Sequence, residues 1–185
     1  MEMLNSYLIN PETVALLVAY DSEGNEQTLV LEGKVSFYVS KKPLEIMNDT
    51  LKYFGSDVEG ALTGAKAVLG EGYMLPICIC AYQKMAWFSC SSFRKNGVMF
   101  SYLHVDKFER ITKTETMVHT RYGHALPVPL SQNKLIYKRN QTAFLLNTLH
   151  ERTTGKKLFF YERKSGITLC REPGDLQYRV MQEEE

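Results

Sequence analysis

Four cysteines and four histidines are the side chains of this sequence best suited to covalent or metal chemistry. Cys78, Cys80, Cys90 and Cys170 form no Cys-x-x-Cys pair, so their spacing does not describe a structural zinc site. Cys78 and Cys80 alternate along a strand-like run and read as packed thiols. His104, His119, His124 and His150 are scattered. His119 and His124 could face each other across a hairpin, but two histidines do not complete a metal site. A Cys90 or Cys78 nucleophile would need a histidine base beside it, and no spacing supplies one. Gly60 and Gly64 lack the Lys-Ser/Thr that completes a phosphate loop, and no dinucleotide fingerprint occurs. The expectation is a non-enzymatic chain without catalytic residues, metal or cofactor.

What remains is a set of basic clusters. Lys41-Lys42 opens a helix where it leaves a strand. Lys134, Lys138 and Arg139 share the first half of a longer helix, and Arg152, Lys156 and Lys157 follow its end. Arg94-Lys95 and Arg163-Lys164 add two pairs. Surface lysines commonly do no more than solvate a face. Clustering at helix ends and hairpin loops instead suits a patch for a polyanion. The expected phosphate contacts are Lys41, Lys42, Lys134, Lys138, Arg139, Lys156 and Lys157. Replacing Lys138 and Arg139 together should weaken polyanion binding with little change in thermal stability.

The balance of charge limits that patch. The 185 residues carry 22 Lys and Arg against 21 Asp and Glu, a net +1. A uniformly basic surface is excluded, so the cations must gather locally with the carboxylates elsewhere. Apolar residues make up 44%, enough for a real core. No signal peptide or membrane-spanning run is read, and a reducing, cytoplasmic setting is expected.

The elements that would hold these groups follow from periodicity. Ser40–Gly70 reads as two short helices hinged at Gly55. Leu44, Met47, Leu51 and Phe54 make one apolar stripe. Val58, Ala61, Leu62, Ala65, Val68 and Leu69 make the other, capped by Ser56 with Glu59. Gly60 and Gly64 suggest that something passes close to that helix. The pair could grip a partner like a helix-turn-helix, or pack on a sheet as a plain helical hairpin. Before it, Thr13–Tyr20, Thr28–Leu31 and Val35–Val39 read as an antiparallel meander. After it come strands over Tyr73–Cys80, Ala86–Ser89 and within Val98–Ile111, and a loop at Ser91–Gly97. A hairpin follows, Thr116–Thr120 with Ala125–Leu130, whose Pro127 and Pro129 mark an edge strand. Ser131 caps a long helix lined by Leu135, Thr142, Leu145, Leu146 and Leu149. Lys156–Tyr161 reads as one more strand. The fold class expected is α+β, with antiparallel β-rich sheets, a helix pair over about residues 43–70 and a long helix over about 131–153. Residues 1–164 would form one domain and 165–185 a mobile tail.

Several blocks resemble the competence transcription factor family, ComK. They are Phe37-Tyr38-Val39, Pro43-Leu44-x-Ile46, Tyr53-Phe54-Gly55-Ser56 with Gly60, Pro76-Ile77, His104-Val105-x-x-Phe108 and Leu126-Pro127-x-x-x-Ser131. The likeness runs from Ser36 to Leu149. It departs at Ala61 and Leu62, where the family carries an arginine and often a lysine. It departs also at Leu75-Pro76, Phe88-Ser89-Cys90 and Met99. The resemblance implies a transcription activator of genetic competence in Gram-positive bacteria. It implies binding of double-stranded A/T-rich DNA through the minor groove, assembly as a homo-oligomer, and turnover by a proteolytic adaptor with an ATP-dependent protease. The alternative is a protein-interaction or ligand-binding β module that has lost DNA binding, favoured by the near-neutral charge and the missing arginine.

Overall fold

The apolar run Thr13–Tyr20 becomes a central strand. The computed structural model describes residues 3–90, 97–155, 169–170 and 179–180. By internal contacts the chain divides into two units, Met1–Thr154 and Gly155–Glu185. In the first unit seven strands share one sheet: β1 (Met3–Leu4), β2 (Thr13–Tyr20), β3 (Glu26–Glu32), β4 (Val35–Val39), β5 (Ile77–Cys80), β6 (Met85–Ser89) and β7 (Val98–Ser101). Their spatial order is β1-β4-β3-β2-β7-β6-β5. β2, β3 and β4 form the expected antiparallel meander. β1 pairs parallel with β4, Met3 against Tyr38 and Leu4 against Val39. Two residues carry no readable period, so the sequence did not announce this strand.

Successive strand residues point to opposite faces, and here both faces are covered. Leu16, Val30, Val39, Trp87 and Met99 face two helices, α1 (Pro43–Tyr53) and α2 (Val58–Leu69). Ala15, Leu31, Phe88 and Phe100 face a smaller sheet and the start of α3 (Gln132–Thr154), at Leu135. The smaller sheet holds β8 (Val105–Arg110), β9 (Thr116–Thr120) and β10 (Ala125–Val128), in order β10-β9-β8. Tyr102–His104 forms a short 3-10 turn between β7 and β8. β10 is an edge strand, as its proline requires. Farther along, Leu145 of α3 packs with Ala65 of α2 and with Leu75.

The helix pair is a hairpin packed on the sheet, and three of its details differ from expectation. α1 buries Ile46, Met47, Thr50 and Leu51, while Leu44 and Phe54 are 40% and 36% exposed. The stripe through 46, 47, 50 and 51 is the one that the sheet buries. The cap of α2 is Asp57, whose carboxylate accepts from Gly60 N at 2.7 Å, and not Ser56. A charged acceptor suits a helix N-terminus better than a hydroxyl. Gly55 does take the left-handed turn, at φ +81. Nothing lies within 4 Å of a Cβ built on Gly64, so no neighbour requires a glycine there.

In the second unit β11 (Leu169–Cys170) pairs antiparallel with β12 (Arg179–Val180). The division at Gly155 precedes the boundary expected after residue 164. The strand expected over 156–161 and most of the expected tail lie outside the described residues, as do 91–96.

The N-terminal approach to β2 is fastened by a polar cluster. The Tyr7 hydroxyl donates to the Glu32 carboxylate, and Asn10 Nδ2 donates to the same oxygen at 2.7 Å. Burial, then the Glu32 bond, raises the Tyr7 pKa well above the usual tyrosine range. The folded state therefore holds this proton more tightly than the unfolded chain. Its stabilisation is complete below about pH 10 and declines above it. Thermal melts of Tyr7→Phe should be lower than wild type at neutral pH and lose less on going from about pH 9 to 11. Gly64→Ala should stabilise the chain by about 1 kcal/mol, since it improves helix propensity in open space. Gly60→Ala should gain less, because its Cβ would meet Asp57 Oδ1 at 3.3 Å.

Candidate functional site

The basic residues singled out in the sequence fall in separate places. Lys41 and Lys42 sit between β4 and α1, each beside a carboxylate. Lys41 Nζ lies 2.7 Å from Asp49, and Lys42 Nζ 3.9 Å from Glu26. Such exposed pairs add little stability, but they balance the local charge. α1 covers one face of the large sheet and α3 begins on the other. β4 and β6 are four strands apart in the order, roughly 19 Å at strand spacing. The Lys41-Lys42 corner and α3 therefore do not form one strip. Lys156 and Lys157 lie outside the described residues, as do Arg94, Lys95, Arg163 and Lys164.

On α3 the three cations differ. Lys134 is exposed. Lys138 is half-buried and donates to the Met74 carbonyl at 3.5 Å. Burial lowers its pKa, partly offset by the neighbouring Cys90 thiol. Arg139 is a brace. It donates to the carbonyls of Val105 at 3.0 Å and Asp106 at 3.4 Å. Its guanidinium carbon lies 5.9 Å from the ring centres of both Tyr102 and Phe108. Gln132 donates to the Phe108 carbonyl at 2.9 Å. These two side chains, seven residues apart and so on one side of the helix, close the outer edge of β8.

Two concavities flank that side of α3. One, of about 300 Å³, is lined by Arg110, Lys113, Ser131, Gln132 and Asn133 at the helix start. The other, of about 340 Å³, is lined by Lys84, Tyr102, Leu103, Arg121, Arg139, Leu146, Asn147 and His150. No carboxylate lines either. Their nearest lining residues on α3, Asn133 and Arg139, are separated by roughly 9 Å along the helix axis. By contrast, a cleft beside α1 and α2 sets Lys52 and Lys66 against Asp57 and Glu59. The sequence reading missed Lys84, Arg110, Lys113 and Arg121. Each sits in or beside a hairpin turn, and turn chemistry was visible. Which turns converge on one helix is a tertiary fact that no local signal carries.

Among the described residues the cysteines and histidines do not form a reactive group. Burial pushes Cys78 and Cys90 up to about 12, the opposite of an activated thiol. Each histidine has its own oxygen partner. His104 lies 2.7 Å from Pro11 O and His119 2.9 Å from Glu109. His124 lies 2.8 Å from Gly33 O and His150 3.1 Å from Ala81 O. His119 and His124 therefore do not meet: Ala125, not His124, stands opposite His119. Among the described residues no group of three His, Cys, Asp or Glu gathers around a metal position. Among them also, no helix is long and apolar enough to cross a membrane.

Fold and clefts together define an α+β domain with a cation-lined flank along its longest helix. The chain belongs to the ComK protein family, whose profile matches residues 4–154. It is 28% identical over 150 residues to the competence transcription factor of Bacillus subtilis (strain 168), covering 80% of this chain and 78% of that relative. No solved structure matches it.

The bracing bonds of Arg139 revise the expectation that it could be replaced freely. Arg139→Ala should destabilise the chain by about 1.5–3 kcal/mol, the range for hydrogen bonds to charged groups. Arg139→Lys should recover little of this, because an ammonium cannot span both carbonyls. Lys134→Ala should leave the melting temperature nearly unchanged. Chemical denaturation of the three variants checks this.

Proposed function

We propose that this chain is a DNA-binding activator of competence genes that holds A/T-rich boxes through the minor groove as a homo-oligomer. Its family and its likeness to the competence transcription factor of B. subtilis support the reading. The observation in the fold that favours it is the pair of carboxylate-free cationic clefts along α3. A molecule of net charge +1 attracts a polyanion only where its cations are segregated in this way.

The narrow minor groove of A-tracts carries enhanced negative potential and draws in Arg and Lys. That groove separates A·T from G·C and little else. One protomer therefore reads poorly, and several protomers on spaced boxes would restore discrimination. Lys134, exposed at the start of α3, joins Arg110, Lys113, Arg121 and Lys84 as a phosphate contact in this proposal. Lys41 and Lys42 contribute less because Asp49 and Glu26 already hold them. Lys156 and Lys157 stay in the proposed contact set on sequence grounds alone. Work on DNA places the chain in the cytoplasm, and turnover through an adaptor and an ATP-dependent protease comes with the family reading.

The departure from the family at Ala61 and Leu62 favours the rival reading, an interaction module without DNA binding. Both residues pack against the core from the inner side of α2, so this position supplies no cation. Competition gel shifts decide between the two. An A/T-rich duplex should compete better than a G/C-rich one, and affinity should drop steeply with added salt. Equal competition, or no shift at low salt, favours the interaction module.

A further inference from the structure

We infer that the cleft bounded by Lys84, Arg121, Arg139 and His150 is a preorganised seat for a single phosphate group, filled in the DNA complex by one backbone phosphodiester. The second clause rests on the DNA-binding reading above.

Its cations come from three separate parts of the chain: the β5–β6 turn, the β9–β10 turn and α3. Convergence of three segments, with no acidic lining residue, is not what a solvated lysine face looks like. Arg139 is already immobilised by two carbonyls and two rings. A guanidinium has five N–H donors, so this one keeps donors for an anion. Holding it in place beforehand removes most of the ordering entropy that a free arginine would lose on binding.

Lys84 supplies an independent observation. Its backbone is left-handed, φ +57, one of two non-glycine residues described in that region. Such a turn position ordinarily takes glycine or asparagine. A long cationic side chain held there against backbone preference is the kind of strain that accumulates at binding sites. His150 is a positioning residue for this turn. Its Nδ1 donates to the Ala81 carbonyl at 3.1 Å and ties α3 to the segment that carries Lys84.

The test uses the full chain and fluorescence anisotropy on A/T-rich and G/C-rich duplexes across a salt series. Lys84→Gly and Arg121→Gln should each weaken both duplexes by the same factor. Because both cations serve one phosphate, the double variant should reduce the slope of log affinity against log salt by at most about 0.9. A reduction near 1.8 means two separate phosphates and overturns the single seat. An unchanged slope, or a change in the A/T to G/C ratio, overturns the phosphate contact. Lys84→Gly should also raise the melting temperature while it weakens binding. A merely structural lysine would leave affinity unchanged.

A second arm separates the seat from the DNA reading. Inorganic phosphate, compared with chloride at equal ionic strength, should stabilise the wild type more than Lys84→Gly/Arg121→Gln. If the wild type binds no duplex, the DNA reading falls and this comparison decides alone. A greater response in the wild type keeps the seat as a site for free phosphate, and an equal response overturns it.

Discussion

A sheet that is apolar on both faces cannot be left bare on either, and this constraint shapes the whole first unit. Val14, Ala15 and Leu16 are consecutive and all fully buried. Leu16 belongs to one core cluster, and Val14 and Ala15, beside a bulge between Thr13 and Ala15, belong to the other, so each face needs its own covering layer. The helix pair supplies the first layer, and the small sheet with the start of α3 supplies the second. Trp87 and Phe88 repeat the pattern on β6, one ring to each side. Burial on this scale is the dominant favourable term in folding. It leaves the charged residues nowhere but the rim, the turns and the outer side of α3.

Much of this was legible because it is local. The meander, the glycine hinge and the long helix with its leucine stripe each have a period or a turn signal of their own. Pro127 marked an edge strand correctly, because a missing N–H has the same meaning in any fold. Errors came where two local rules competed. Ser56 and Asp57 are both capping residues, and sequence alone does not rank them. Leu44 and Ile46 both fit a helical stripe, and only the direction of the underlying strands selects Ile46. Gly64 looked like a point of close approach, yet the space beside it is open.

The site was less legible than the fold for the same reason. Lys134, Lys138 and Arg139 were visible as a cluster on one helix. Six residues of sequence nevertheless hold a solvated lysine, a half-buried lysine on the Met74 carbonyl and an arginine clamped to β8. Spacing reports that side chains share a neighbourhood; it does not report which backbone oxygen each will find. Lys84 and Arg121 lie 37 positions apart and line one cleft only because the β5–β6 and β9–β10 turns arrive at the same stretch of α3.

The closure of β8 has a consequence for the solution behaviour of the chain. An outer strand normally finds hydrogen-bond partners in another strand or is twisted out of reach. Here two side chains on a helix, Gln132 and Arg139, bond the carbonyls of Val105, Asp106 and Phe108 instead. Such a guard is only as durable as those two residues. A chain that lost both would present an unpaired backbone rim, the feature through which folded proteins recruit one another into aggregates. Resistance to aggregation through this edge is thus vested in the same helix that borders the cationic clefts.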